Sequence, residues 1–174
     1  LSMKSLRSIA GLGTEIVELV EHFQIVAIRK ADSMEELMEI SANVVTDSPS
    51  LKEKIFEGFK DRQKISDTYV DGMEICLLHC KVDAVCHSRF KYISLTEPMM
   101  TAKGFLKGAV VMIVQKEVED DILIEPVGRL SALLVEDQRF LQALLSRDQA
   151  AGTRYIEKAL VKYYQQEVLK IMEV

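Results

Sequence analysis

No run of apolar residues in this chain approaches the roughly 20 needed to cross a bilayer. The longest, Ala109 to Val114, has the length of a buried strand. No signal-peptide pattern opens the chain, and its three cysteines are an odd number. These absences argue against membrane insertion and a disulfide framework, and point to reduced thiols in the cytoplasm. Basic residues are in deficit, 22 against 27 acidic for a net charge of -5, which argues against direct nucleic acid contact. A nucleophile elbow, a phosphate loop of the Gly-Lys-Ser type and a His-Glu-x-x-His helix are all missing. Gly11-Leu-Gly13 is only a fragment of a phosphate-loop pattern; it lacks the third glycine and reads as a loop that starts a helix.

What is present suits one soluble domain: 174 residues, 48% hydrophobic and 28% charged. The opening Leu-Ser-Met suggests a piece of a longer protein. Residues 1–20 read as a linker and N-terminal helix from a preceding domain, and 21–174 as the domain itself. Phe23 to Ile28 is apolar and β-branched, as a first strand would be. Ser33 with Glu36, then Ser50 with Glu53, have the spacing of helix capping boxes, separated by a break at Pro49. The second of these helices ends near Arg62. Three strands are expected next, at Ile75–His79, Phe90–Thr96 and Ala109–Val114, with Glu97-Pro98 and Gly104 as loop signals. The last strand is apolar at every position, as befits a central strand covered on both faces.

The acidic run Glu117, Glu119, Asp120 and Asp121 decorates a loop and a helix start. Helices then follow, with Pro126 in a first turn, Asp137 as a cap, and a long amphipathic helix through Tyr163 and Tyr164. The expected fold class is α/β: a small mixed β-sheet flanked by helices on both faces.

All three cysteines and two of the three histidines lie between Cys76 and His87. A structural zinc site is disfavoured, because strand alternation turns Cys76 away from His79. His79 and the adjacent Cys80 would likewise diverge, so they do not pair as base and nucleophile. Cys86 with His79 or His87 stays open as a thiol pair. His87 reads as an exposed loop residue, with a second regulatory site as its other reading, and His22 as structural.

His79 is the most informative residue. It ends the run Ile75-Cys-Leu-Leu-His79, which follows Arg62-Gln63, Asp67-Thr68 and Gly72. This order and spacing resembles the active-site region of the IIA domains of the mannitol/fructose class of the bacterial sugar phosphotransferase system. In that family an Arg-Glu pair precedes a Ser-Thr, glycine-rich loop, and a strand then delivers the phosphorylated histidine. Val82-Asp83-Ala84-Val85 and Leu95-Thr96-Glu97-Pro98 resemble the next two blocks, and the resemblance runs from Phe23 to the closing helix. Three features depart from the pattern. The loop has one clear glycine, Leu78 stands in place of a proline, and Leu123 stands where the family carries a second active-site histidine. The stretch from Pro126 to Leu134 and Phe140-Leu-Gln-Ala-Leu144 is also similar to the IIA-like domain closing mannitol-operon-type transcriptional activators.

The resemblance implies a mannitol-class IIA-like phosphoacceptor domain over 21–174. His79 would take the phosphoryl group, Arg62 would compensate its charge, and Thr68 and the backbone near Gly72 would donate hydrogen bonds to it. It implies a phosphohistidine carrier or sensor rather than a turnover enzyme, with no cofactor and no metal. The expected partners are the carrier protein HPr and a IIB component or IIB-like domain, with a homodimer through the Tyr163-Tyr164 end. A regulatory domain of a sugar-responsive transcription regulator is the favoured reading. A transport-coupled IIA subunit passing phosphate to a IIB cysteine, or an interaction module that has lost phosphorylation, are the alternatives.

Overall fold

The apolar run at 109–114 lies at the heart of the molecule. In the computed structural model, which describes residues 2–116 and 121–173, it belongs to the middle strand of five. In chain order the elements are α1 (Met3–His22), β1 (Ile25–Ile28), α2 (Met34–Val45), α3 (Pro49–Ile65), β2 (Tyr69–Val70), β3 (Ile75–Val82), β4 (Arg89–Thr101) and β5 (Gly104–Gln115). A short 3-10 helix (Asp121–Leu123), α4 (Glu125–Glu136), α5 (Gln138–Leu145) and α6 (Gln149–Met172) follow. The sheet order is β1-β4-β5-β3-β2. β1 runs parallel to β4 and β3 parallel to β5, whereas β4–β5 and β2–β3 are antiparallel, so the sheet is mixed as expected.

Both faces of the sheet are covered. Val110 and Met112 face a layer built with α1, α4, α5 and α6, while Ala109, Val111 and Ile113 face one built with α2 and α3. All five side chains are buried, which is why no polar residue interrupts the run. Each large side chain so buried contributes roughly 1.5–3 kcal/mol.

The helix boundaries follow from capping chemistry. Ser33 Oγ accepts from Glu36 N–H at 3.1 Å at the start of α2, while the Glu36 carboxylate reaches back to the N–H of Asp32. The start of α3 differs from expectation. Ser48, not Ser50, is the cap, accepting from Leu51 N–H, and Pro49 opens the first turn, where its missing N–H costs nothing. Asp137 caps α5 as its sequence position suggests.

Several expected loops are regular structure. Gly11 and Gly13 lie inside α1, and at Gly11 the missing side chain allows close approach: a methyl group there would meet the Leu123 side chain at 3.3 Å. From Leu12 onward this helix is part of the core, with Leu12, Ile16 and Leu19 buried, so the folded unit begins before residue 21. Glu97-Pro98 lies within β4, at a register shift between Ser94 and Met99. Such an irregularity accommodates proline because no ladder hydrogen bond is required of it there. β2 was expected as loop. Residues Glu117, Glu119 and Asp120 of the acidic run lie outside the described residues.

Candidate functional site

β3 sorts its side chains by alternation. Cys76, Leu78, Cys80 and Val82 point into the layer beneath α2 and α3, while Ile75 and Leu77 point to the opposite layer. Burial pushes the Cys76 and Cys80 thiols up to about 12, which removes both as nucleophiles at neutral pH. The Cys80 thiol is spent on the Ile55 carbonyl at 3.8 Å. Cys86 is exposed, and the imidazole nearest it, His87, is engaged elsewhere. No thiol–imidazole pair of the kind left open by the sequence is formed.

His79 shares the face of Ile75 and Leu77. It lines an open cleft of about 530 Å³ between the sheet and the start of α4. The cleft has a largely apolar floor of Leu77, Met112 and Val114. Ile124, Val127 and Gly128 form its far wall, and Lys81, Asp121, Glu125 and Ser131 supply polar groups. The imidazole is half-buried. Its Nδ1 is fully buried and has no hydrogen-bond partner, which leaves Nε2 as the nitrogen available to the cleft. Burial, and secondarily the Arg62 guanidinium, hold the ring's pKa below its ordinary 6.5. At neutral pH the ring is therefore uncharged, with a lone pair free to act as a nucleophile.

Arg62 sits exposed in the last turn of α3, and its charge reaches His79 although that helix packs on the other face of the sheet. Thr68 lies beside β3: its carbonyl accepts from Leu77 N–H at 2.8 Å, and its buried Oγ1 has no partner. The preceding Asp67 accepts from Tyr69 N–H at 3.0 Å and pairs with Lys103, which holds its carboxyl below the usual carboxylate range. Gly72 is not brought to His79. It occupies the turn joining β2 to β3, with φ +81, and the strand rise places the far end of that turn about 13 Å along β3 from the imidazole. Left-handed backbone is what glycine supplies there.

Other expectations need revision. His87 is not a free loop residue: its Nδ1 meets the buried Glu15 carboxylate at 3.0 Å, and Glu15 also accepts from Ser88 N–H at 2.6 Å. The pair clamps the loop before β4 onto α1. His22 pairs with Glu18 one turn back on α1. Tyr163 and Tyr164, expected to face a second copy, are engaged within the chain. Tyr163 is buried with Arg129 stacked over its ring at 5.2 Å, and Tyr164 packs beside Gly13. Leu123 turns toward Gly11 of α1 and does not line the cleft.

Sequence reasoning missed Lys81, Asp121, Glu125 and Ser131. Lys81 was accessible to it, being two residues beyond His79 and so on the same face. The other three reach the cleft only through the way α4 docks, for which no local signal exists. Among the described residues no three of His, Cys, Asp and Glu converge as a metal site, and no helix is long and apolar enough to cross a membrane.

The fold is similar to that of the nitrogen regulatory protein IIA-Ntr from Neisseria meningitidis, with a TM-score of 0.58 and 15% identity over 81% of this chain and 94% of that one. It is also similar to enzyme IIAMtl of Escherichia coli, solved in complex with phosphorylated enzyme IIBMtl. There the TM-score is 0.55 and the identity 17%, over 76% of this chain and 93% of the other. No curated protein matches the sequence. The model of the EIIA 2 family of the phosphoenolpyruvate-dependent sugar phosphotransferase system matches residues 18–159. With the match spanning most of its length and a helix-flanked mixed sheet beneath it, the chain belongs to that family of sugar phosphotransferase IIA domains.

Proposed function

We propose that this domain accepts a phosphoryl group on Nε2 of His79 and that the phosphorylated state is its signal. The observation that carries the reading is the half-buried ring itself, kept neutral by burial and Arg62, with one nitrogen enclosed and the other toward a cleft. The Nε2 lone pair forms the new N–P bond as the bond from phosphorus to the donor atom breaks, a ring nitrogen in HPr or a cysteine sulfur in a IIB component, and the electron pair of that bond returns to the donor atom. Arg62 then offsets the incoming charge, close to two negative units, with a guanidinium suited to phosphate oxygens. The donor is HPr or a IIB component.

A regulatory role, in a domain attached to a sugar-responsive transcription regulator, is favoured over transport coupling by Leu123. At the position where the resemblance places a second histidine, this chain has a side chain packed against Gly11 of α1. One imidazole therefore carries the phosphate alone, which suits a domain that holds the group rather than relaying it rapidly.

The test is phosphoryl transfer from phosphoenolpyruvate through Enzyme I and HPr, read by intact mass before and after acid treatment. An acid-labile adduct on the wild type that His79→Ala lacks is the expected result. A folded wild type that stays unlabelled by HPr and by phosphorylated IIB components would sink the reading.

A further inference from the structure

Two buried polar atoms without partners lie on the same side of the sheet: Oγ1 of Thr68 and Nδ1 of His79. Thr68 is only 7% exposed. Its carbonyl bond to Leu77 N–H extends the β2–β3 pairing by one residue beyond the Tyr69–Cys76 pair. Alternation then places Thr68 with Val70, Ile75, Leu77 and His79 on one face, and Tyr69 with Cys76 on the other. Thr68 and His79 are diagonal neighbours across the pair, a relation that sets backbone positions about 7–8 Å apart and lets side chains meet. A buried donor and a buried acceptor left unmade cost more than the side-chain rotation that joins them.

We propose that the Thr68 hydroxyl accepts a hydrogen bond from His79 Nδ1–H, making Thr68 a positioning residue that fixes the tautomer of the phosphoacceptor ring. This rests on the reading of His79 as phosphoacceptor, and it reverses the role the sequence suggested, in which Thr68 donates to the phosphate. With the proton held on Nδ1, the Nε2 lone pair faces the cleft. As the N–P bond forms, the ring gains positive charge and the Nδ1–H bond is polarised toward its acceptor, so the contact strengthens along the reaction. No proton has to leave His79 during transfer. The same contact stops the imidazole turning over, which would bury the nucleophilic nitrogen.

The test combines the tautomer and the rate. Two-bond 1H–15N spectra of the imidazole are recorded on 15N-labelled, unphosphorylated wild type, Thr68→Ser and Thr68→Val, and phosphoryl transfer from HPr is timed on the same samples. Wild type and Thr68→Ser are expected to hold the Nδ1–H form. Thr68→Val, equal in size but without the hydroxyl, is expected to show both tautomers and to accept phosphate about tenfold more slowly, the effect of one hydrogen bond. A Thr68→Val ring with the wild-type tautomer, or a mixed tautomer with an unchanged rate, overturns the assignment. Should Thr68→Val fail to fold, Thr68→Ala makes the same comparison. The spectra need no phosphate transfer, so an unlabelled wild type counts against the phosphoacceptor reading while the tautomer result still decides the role of Thr68.

Discussion

Gly58 stands in the middle of α3, and the strand beneath it leaves no room for a side chain. A methyl group there would lie 2.8 Å from Cys80 Cβ and 3.1 Å from its Sγ. Carbon–carbon contacts are comfortable at about 3.5–4.0 Å, so roughly 0.7–1.2 Å of separation would have to be found. Cys80 cannot retreat, because β3 is paired along its length with the central β5. The helix must lift instead. Overpacking of this kind costs about 1–3 kcal/mol, offset by the roughly 0.8–1 kcal/mol that alanine gains over glycine in a helix. Gly58→Ala should therefore destabilise the protein by about 1 kcal/mol, or about 2–4 °C in Tm for a chain of this size.

Gly13→Ala is the matched control. Its methyl group would sit 3.6 Å from Tyr164 Cε2, an ordinary contact, so only the helix-propensity gain applies and Tm should rise by about 2–4 °C. Thermal unfolding of the two variants beside the wild type decides the matter. Equal rises in both would refute the claim that α3 is seated on β3 by the absence of a side chain. Arg62 is one turn further along the same helix, so an NMR titration of Gly58→Ala should also show the His79 pKa moving up toward 6.5 as the guanidinium is displaced.

Arg62→Gln should likewise raise the His79 pKa, seen in the pH dependence of the imidazole C–H resonances, and should weaken phosphate acceptance; an unchanged titration would remove Arg62 from the site. Because the folded pKa of His79 lies below 6.5, the unfolded chain binds the proton first as pH falls. Stability should rise with pH between the folded value and 6.5 and be lost as the pH falls through that window; urea midpoints across a pH series should show this slope, and His79→Gln should flatten it. Glu15→Gln leaves a buried carboxylate's partners, Ser88 N–H and His87, with a weaker acceptor. A loss of about 1–3 kcal/mol is expected in urea titrations, and full retention of stability would show that the clamp between α1 and β4 is incidental.

The sheet was legible because its residues state their burial on every position. The unbroken run at 109–114 has one reasonable place, at the centre, and β3 and β4 follow from similar apolar spacing. Their ends were not legible, since β4 continues through Glu97-Pro98 by means of an irregularity that only the pairing partner reveals. α1 was half hidden because glycine normally signals a break. At Gly11 it signals the proximity of Leu123, which lies far away in the sequence, while at Gly13 a methyl group would make only an ordinary contact with Tyr164. In the site, the alternation on β3 correctly separated His79 from Cys76. It said nothing of what faces His79 across the cleft, because Asp121, Glu125 and Ser131 are placed by helix docking. Gly72 was assigned to the site by its place in a motif, whereas its backbone conformation ties it to a hairpin turn.

The two helical layers meet His79 from opposite sides of one sheet: the cleft is walled by α4, while the arginine comes from α3. A chain that has folded only one layer thus possesses either the chamber or the cation, never both. On the proposed reading of His79, competence to take up phosphate would report on completed folding. Nascent, nicked or partly unfolded copies would then be silent, and the charge would be written only onto an intact molecule.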